Sequence, residues 1–340
     1  MKLIDFEAHV FTPDYVNRMQ RRKKLPRLEL VDGPEGKWNR LWLTEEIWSS
    51  RAKTMAPLLD IDHLRLPEMD AAGVRIQVLT LAGPGCELFE PAEGTEAART
   101  SNDELAGIIR KHPDRFVGMA ALAPQEPEKA ADELERCVRD LDFRGVKINS
   151  HIQGEYLDEE KYWVILERAE KLDVPIYIHP RLPSPDMLKP YAKYGYGLAG
   201  PGLGFAAETQ LHAYRLIYSG VFDRYPNLKI ILGHMGEGLP FWIFRMDHPW
   251  SALSDGKVSL AKKPSDYAKA NFLITTSGMF FTPAILCGYM AMGADSIIFA
   301  SDYPFEKSAH AATFMESVPI CDKDKEKICC TNAQRLLKID

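Results

Sequence analysis

Five side chains that can bind a metal stand at or just after short apolar runs of the sequence. They are Glu7, His9, His179, His234 and Asp302. Glu7 and His9 are two residues apart in an extended segment, so both side chains point to the same side. Carboxylates and imidazoles without cysteine suit zinc or manganese, and a catalytic ion must keep one coordination position for substrate or water. The sequence therefore predicts one divalent metal ion, Zn2+ or Mn2+, held by residues from distant parts of the chain.

Each candidate ligand also has an ordinary structural interpretation. His9 and His179 could be core histidines with satisfied hydrogen bonds, and Asp302 could cap the helix that follows it. Glu7 is harder to explain in this way, because a carboxylate that ends a buried apolar run needs a cation or several hydrogen-bond donors. The hypothesis of a metal site rests on the co-occurrence of all these residues.

A second pattern surrounds His234. In residues 233–237 (GHMGE), a short helical turn would place Glu237 beside His234, and the pair would form an acid or base next to the metal. Arg245, on a helix predicted over residues 240–246, is a candidate to bind an anionic group of a substrate. An exposed arginine in a surface ion pair is the ordinary alternative for Arg245.

Alternating apolar runs and helical patterns indicate the elements that position these residues. Eight runs are predicted to be parallel strands: residues 3–7, 76–81, 116–121, 145–149, 176–179, 229–233, 272–275 and 296–300. Helical periodicity lies between them, at residues 101–111, 127–141, 159–172, 207–222, 283–292 and 309–318. Eight alternations predict a closed (β/α)8 TIM barrel, in which the carboxyl ends of all strands converge on one mouth. The candidate ligands lie at such ends.

Two segments exceed the usual connection length of roughly 2 to 6 residues. They are residues 11–62, after strand one, and residues 181–205, after strand five. In the first, residues 21–24 (RRKK) are interpreted as a solvated turn, and the part that contains Trp38, Trp42 and Trp48 as an amphipathic packing segment. This insertion would cap the site or form an interface. The second could be a flexible lid or a plain surface loop. Residues 1–340 are expected to form a single barrel domain.

Composition excludes several classes of protein. Lys and Arg number 42 against 48 Asp and Glu, a net charge of −6, which gives no electrostatic footprint for nucleic acid or an anionic membrane. No basic-then-apolar leader and no uncharged apolar stretch of about 18 residues occurs, so a cytoplasmic protein is expected. The six cysteines lack C-x-x-C spacing, which argues against a disulfide framework or a cysteine zinc site. Cys329 and Cys330 are expected to be buried.

Four motifs resemble, in order and spacing, those of the amidohydrolase-2 family. They are Glu7-Ala8-His9, Ile178-His179-Pro180, Gly233-His234-Met235-Gly236-Glu237 and Ala300-Ser301-Asp302-Tyr303-Pro304-Phe305-Glu306. Hydrolytic members of the wider superfamily begin with H-x-H. The variant Glu7-x-His9 instead resembles the nonoxidative aromatic acid decarboxylases, the group that contains the γ-resorcylate, 2,3-dihydroxybenzoate and 5-carboxyvanillate decarboxylases.

This resemblance implies roles for individual residues. The metal ion would be held by Glu7, His9, His179 and Asp302, with His234 and Glu237 as an acid/base pair and Arg245 facing the substrate carboxylate. The resemblance also implies a small aromatic carboxylic acid as substrate, and a homodimer or homotetramer as the assembly. Lys147 ends the fourth strand, where other branches of the superfamily keep a carboxylated lysine. It is interpreted as structural or peripheral.

The expected activity is the metal-dependent, nonoxidative decarboxylation of a hydroxylated aromatic acid. The acid would chelate the ion through its carboxylate and an ortho-hydroxyl group, and Asp302 would protonate the ring carbon before carbon dioxide leaves. The alternative within enzymes is a hydrolase or hydratase that acts on a lactone, an amide or an unsaturated acid. A non-catalytic metal- or ligand-binding barrel is the alternative from another class.

Overall fold

The computed structural model describes residues 2–33, 36–252 and 259–339. Its strands are β1 (Leu3–Val10), β2 (Arg27–Val31), β3 (Trp38–Trp42), β4 (Trp48–Ser50), β5 (Val74–Leu81), β6 (Phe116–Gly118), β7 (Ala120–Ala121), β8 (Val146–Asn149), β9 (Ile176–His179), β10 (Ile230–Leu232), β11 (Phe272–Thr275) and β12 (Ile297–Ile298). All eight predicted strands are confirmed. The third is split into β6 and β7 at the single residue Met119, and the first is longer than predicted, so that His9 lies within β1.

Parallel pairing connects the eight strand positions into a ring. One sheet has the order β1-β5-β6, and the other runs β7-β8-β9-β10-β11-β12. The two sheets join where β6 leads into β7. They meet again where the amide of Phe6 donates to the carbonyl of Phe299 (3.0 Å) and that of His9 donates to the carbonyl of Tyr303 (2.7 Å). The fold is therefore the predicted (β/α)8 TIM barrel.

Helices surround this ring. They are α1 (Pro13–Arg21), α2 (Met55–Leu59), α3 (Leu66–Ala72), α4 (Pro91–Lys111), α5 (Pro127–Asp140), α6 (Trp163–Leu172), α7 (Pro185–Ala192), α8 (Gly195–Gly197), α9 (Gly204–Tyr218), α10 (Val221–Arg224), α11 (Leu239–Ala252), α12 (Pro264–Asn271), α13 (Thr282–Met292), α14 (Ser308–Ser317), α15 (Asp322–Glu326) and α16 (Asn332–Leu337). In α5, the buried residues Ala130, Leu134 and Cys137 recur at helical spacing and pack into the core around the barrel.

The first insertion contains secondary structure that the sequence did not predict. Its strands β2, β3 and β4 form an antiparallel sheet, which carries the three tryptophans, and the guanidinium of Arg40 lies 4.6 Å from the ring of Trp48. The basic run is solvated except at one residue. The side chain of Arg22 is only 5% exposed, because it pairs with Glu93 and lies over the ring of Phe89. The interpretation of residues 21–24 as a solvated turn therefore holds for Arg21, Lys23 and Lys24, but not for Arg22.

The second insertion is not a plain loop. It forms α7, α8 and a π-helical turn, Leu198–Gly202. Leu182 and Ala199 are buried in one hydrophobic cluster with Ile47 of the first insertion. The two insertions therefore pack against each other beside the barrel.

Two predictions from composition concern cysteines and membrane helices. All six cysteines are free thiols, and Cys329 and Cys330 are buried as expected. Within the part of the chain that the structure describes, no helix combines the length and apolar character needed to cross a membrane.

Candidate metal centre and its pocket

The barrel brings the four candidate ligands together at one end. One donor atom each from Glu7, His9, His179 and Asp302 lies within 4.8 Å of the others. Glu7 Oε1 is 3.4 Å from His9 Nε2 and 3.3 Å from His179 Nε2, and His9 Nε2 is 3.0 Å from Asp302 Oδ1. Residues separated by almost the whole chain thus meet because β1 pairs with the segment that follows β12.

The two oxygens of the Glu7 carboxylate have different surroundings. Oε2 accepts hydrogen bonds from the hydroxyl of Tyr177 and, at 3.4 Å, from that of Thr275. Oε1 is buried and has no hydrogen-bond partner among the described residues. A buried carboxylate oxygen without a partner costs free energy unless a cation completes it. The residues present therefore fit a metal ion that binds Oε1.

The histidines are in suitable states for the same role. His9 Nδ1 lies 3.1 Å from the hydroxyl of Thr80, and its Nε2 faces Glu7 and Asp302. Burial and the nearby charge of Lys147 lower the pKa of His179 to about 3, so its imidazole is neutral. Two imidazoles and two carboxylates form a set that suits zinc or manganese.

Asp302 lies in a turn after β12 and does not cap a helix. Its φ is 73°, in the left-handed region, and its amide donates to the carbonyl of Glu7 at 3.1 Å. Helix α14 begins only at Ser308, and its N-cap is Lys307. The alternative interpretation of Asp302 as a helix cap was therefore wrong, since its carboxylate faces His9 instead.

His234 and Glu237 form the predicted pair. His234 Nδ1 lies 2.6 Å from Glu237 Oε1. The turn His234–Gly238 is left-handed, with positive φ at every residue from 234 to 238, including 47° at His234 and 53° at Glu237. Each non-glycine residue in this region costs roughly 1–2 kcal/mol. Strain of this kind persists where the surroundings fix the backbone, often at functional sites.

The charges of the site act on one another. Burial raises the pKa of Asp302, but contacts with His234 and His9 outweigh it, and the net pKa lies below its usual value. Burial lowers the pKa of His234, but the charge of Glu237 and the contact with Asp302 raise it well above its usual value. His234 Nε2 is 3.9 Å from Asp302 Oδ2. In this arrangement a proton resides on His234 beside an ionised Asp302.

A cavity of about 780 Å³ opens onto these side chains, a volume typical of sites for small ligands. His179, His234, Glu237 and Asp302 line it, together with residues of both insertions. Residues of the first insertion therefore form part of the cavity wall.

Comparison with known proteins gives a consistent result. The sequence profile of the amidohydrolase family matches residues 4–339. The chain belongs to this family. The γ-resorcylate decarboxylase of Polaromonas sp. (strain JS666 / ATCC BAA-500) is 43% identical over 292 residues, which cover 83% of this chain and 89% of that protein.

Two crystal structures are similar over nearly the whole length of this amidohydrolase. The 5-carboxyvanillate decarboxylase of Sphingomonas paucimobilis has a TM-score of 0.89 and 34% identity, covering 100% of this chain and 99% of that chain. A dihydroxybenzoic acid decarboxylase of Polaromonas sp. JS666, with bound manganese and the inhibitor 2-nitroresorcinol, has a TM-score of 0.86 and 37% identity, covering 99% and 97%.

Two residues singled out in the sequence lie away from the cavity of this amidohydrolase. Arg245 is exposed on α11, and the next residue, Met246, is the one that faces the core. Arg245 is not among the described residues that line the cavity. The structure therefore places Arg245 outside the cavity of a single chain, and its contact with the substrate stays a prediction. Lys147 is buried, donates to the carbonyl of Leu81, and has a pKa lowered by burial to about 8.

Several polar residues around the site were missed. Tyr177 and Thr80 contact metal-site residues, and Asn149 and Arg181 line the cavity. Tyr177 lies in the predicted strand 176–179, two residues before His179, and so points to the same face. That spacing was the available signal.

Proposed function

We propose that this amidohydrolase is a metal-dependent, nonoxidative decarboxylase of an ortho-hydroxylated aromatic carboxylic acid. The observation that carries the proposal is the open Glu7 Oε1, which lies 3.4 Å or less from the Nε2 atoms of His9 and His179. The relatives named above are decarboxylases of hydroxylated aromatic acids. A chain that keeps the family's barrel together with this centre is best assigned to the same reaction.

One divalent ion, Zn2+ or Mn2+, is held by Glu7, His9, His179 and Asp302 in this proposal. When bound, the ion would act as a Lewis acid that polarises the carboxylate and the ortho-hydroxyl group of the substrate. Manganese in a similar crystal structure makes it the first metal to test. Metal analysis of the purified protein by mass spectrometry is expected to give about one equivalent per chain, since the four ligands form a single cluster.

In the proposed reaction, Asp302 gives a proton to the ring carbon that bears the carboxylate. This step breaks aromaticity, so it needs an acid held beside the ring. Asp302 Oδ2 lies 3.9 Å from His234 Nε2, and Glu237 fixes the other nitrogen of that ring. In this proposal His234 holds the proton first and transfers it to Asp302, which then gives it to the ring carbon. The negative charge of an entering substrate raises the proton affinity of Asp302.

Release of carbon dioxide tests the function directly. Manganese-loaded protein is incubated with 2-hydroxybenzoate and its dihydroxy derivatives, and carbon dioxide and the phenol are measured. In deuterium oxide, the phenol is expected to carry one deuterium at the carbon that lost the carboxylate, because the solvent proton enters there. Hydrolysis of lactones or amides without carbon dioxide release from any of these acids would contradict the proposal.

The change Asp302→Asn tests the proton donor. The amide keeps an oxygen for the metal but cannot give up a proton, so turnover is expected to fall by roughly 10²–10⁴-fold. Turnover is compared at saturating manganese, where metal content and substrate affinity are expected to change far less. The matched control is Asp132→Asn, an exposed carboxylate on the outside of α5. An Asp302→Asn protein with normal turnover would exclude Asp302 as the donor.

We also infer that the chain assembles with itself as a homodimer or homotetramer. The side chains of Phe241 and Phe244 on α11 are 71% and 81% exposed. They are three residues apart on one helix, and neighbouring exposed aromatic side chains are typical of a surface that is buried against a partner. Trp48 in the first insertion is 40% exposed and is a second candidate for contact with a partner chain. Light scattering coupled to gel filtration is expected to give twice or four times the mass of the chain. A monomer at micromolar concentration would exclude this inference.

A further inference from the structure

The cavity is larger than a single aromatic ring requires. Its volume is about 780 Å³. This lies in the upper part of the range of about 300–1,000 Å³ that is typical of sites for drug-sized ligands. The proposed substrate, a benzoic acid with an ortho-hydroxyl group, is smaller than such ligands. Space therefore remains in the cavity when the ring and its carboxylate lie at the metal centre.

The second insertion and the start of α9 form an apolar part of the cavity wall. Between positions 182 and 206, the lining residues are leucine, proline, glycine, phenylalanine and alanine, with Tyr196 as the exception. The hydroxyl group of Tyr196 already contacts the guanidinium of Arg51. This part of the wall therefore offers a ligand apolar side chains and almost no side-chain hydrogen-bonding group.

Apolar side chains around the cavity keep a large exposed surface. Leu203 is 50% exposed, and Met279 and Phe305, which lie closer to the metal centre, are each 38% exposed. All three line the cavity. Single exposed apolar side chains are common on protein surfaces, but a group of them around one cavity is typical of a contact site for an apolar ligand.

The apolar wall is supported from behind. Leu43, Leu188 and Phe205 line the cavity and also pack against the buried hydrophobic cluster that joins the two insertions. The ring of Phe205 meets that of Tyr196 edge to face, with 6.0 Å between the ring centroids. Because close-packed side chains keep their positions, this wall can form a subsite of defined shape.

The apolar wall is continuous with the metal centre. The ring of Phe305 lies 5.4 Å from that of His9, measured between centroids. Met279 follows Gly278, where a Cβ atom would lie 3.2 Å from His234 Cδ2. Met279 and Phe305 therefore flank the position proposed for the substrate ring, and a substituent on that ring can extend from there to the apolar wall.

We propose that Leu188, Leu203, Phe205, Ala206 and Met279 form an apolar subsite for an alkyl substituent on the substrate ring. A polar substituent would lose its hydrogen bonds to water in this subsite without replacement, whereas an alkyl group has none to lose. The substrate class is then an alkyl-substituted ortho-hydroxybenzoic acid. This inference rests on the proposed function, because that function places the ring at the metal.

The first experiment varies the length of one substituent. 2-Hydroxybenzoates with a methyl, ethyl or propyl group at ring position 3, 4, 5 or 6 are compared by their specificity constants. These alkyl groups donate electrons to the ring about equally, so a change with length reports contact with the protein. At one ring position, the specificity constant is expected to rise roughly 3- to 4-fold for each carbon added. A rise below about 2-fold from methyl to propyl at every position would overturn the subsite.

Variants show whether the apolar subsite produces this effect. Ala206→Phe fills the space and Leu203→Gln makes it polar, so both are expected to reduce the ratio of the propyl to the methyl acid to about 2-fold or less. The matched control is Leu64→Gln, because Leu64 is 43% exposed but is not among the described residues that line the cavity. It is expected to keep the ratio of the wild type. A ratio that survives both Ala206→Phe and Leu203→Gln would overturn the assignment.

A binding measurement separates this inference from the proposed function. The manganese-loaded Asp302→Asn protein is titrated with the same alkylated acids by calorimetry. Affinity that increases with chain length, without carbon dioxide release from any acid in the wild type, would support the apolar subsite and contradict the function. Carbon dioxide release without any dependence on chain length would do the reverse. If none of the acids binds or reacts, both proposals are wrong.

Discussion

Two buried carboxylates on β1, Asp5 and Glu7, lie two residues apart and differ in how their oxygens are satisfied. Both are 0% exposed. Asp5 accepts from the amide and hydroxyl of Ser301, at 2.8 and 2.5 Å, from Gln77 at 3.0 Å, and from the amide of Glu7 at 3.4 Å. Glu7 has one filled oxygen and one open one.

The difference separates a structural carboxylate from one that binds the metal in the proposed function. The donors around Asp5 tie β1 to the residue before Asp302, so this carboxylate stabilises the shape of the site. The open oxygen of Glu7 has nitrogen atoms of two histidines within 3.4 Å and no donor of its own. Both are fully buried carboxylates, and they differ in how many of their oxygens accept a hydrogen bond.

The largest expected effect follows the change Glu7→Gln. The neutral amide loses the charge that faces the metal position, so metal affinity is expected to fall at least 100-fold and turnover about 10³-fold. The metal-free variant is expected to unfold at a lower temperature than the metal-free wild type, because contacts with His179, His9 and His234 outweigh burial and hold the pKa of Glu7 well below its usual value.

Metal content, carbon dioxide release and calorimetric melting of the metal-free protein measure these three quantities. The conservative variant Glu7→Asp serves as the control, since it keeps the charge and shortens the side chain. A Glu7→Gln protein that keeps one manganese per chain and normal turnover would show that Glu7 is as structural as Asp5.

The sequence predicts the barrel because its strands are short apolar runs with separate helices between them. It also predicts which side chains meet, since residues such as His179 and Asp302 end or follow those runs. The sheet of β2, β3 and β4 could not be predicted in the same way. Its strands are half exposed and alternate irregularly, so they resemble a loop until they pair with one another.

Other features of the site depend on three-dimensional contacts that spacing does not contain. The distance of three residues between His234 and Glu237 predicts their pairing but not the left-handed turn, in which a side chain at Gly236 would come within 2.6 Å of Ile274. Which Glu7 oxygen stays open depends on Tyr177, a residue of another strand. The exposure of Arg245 depends on which face α11 turns to the core.

The contribution of Asp5 to stability is expected to depend on pH. Burial raises the pKa of Asp5 from 3.8 to about 6, against the hydrogen bonds from Ser301 and Gln77. Between these values the folded protein keeps a proton that the unfolded chain releases, so the free energy of unfolding falls as the pH rises, by on the order of 3 kcal/mol in all. Below pH 4 this contribution is fully present.

The variant Asp5→Asn cannot ionise, so its stability is expected to lack this fall. Melting temperatures of metal-free wild type and variant are compared from pH 4 to 7. As the pH rises, the melting temperature of the variant is expected to increase relative to that of the wild type. Parallel curves would mean that Asp5 titrates alike in the folded and unfolded states.

The smallest effect is expected for the residues that fill Glu7 Oε2. Removing the hydroxyl with Tyr177→Phe frees the carboxylate to rotate, so manganese affinity is expected to fall about 10- to 100-fold, the usual loss when a group that orients a metal ligand is removed. Thr275→Val is the matched comparison, because its hydroxyl contacts the same oxygen at 3.4 Å, the long end of a hydrogen bond. A smaller loss is expected there, measured by competition with a chelator. If Tyr177→Phe binds manganese as tightly as the wild type, the hydrogen bond from Tyr177 to Oε2 does not orient Glu7. The functional difference between Glu7 and Asp5 would then depend only on Oε1, which has no hydrogen-bond partner among the described residues.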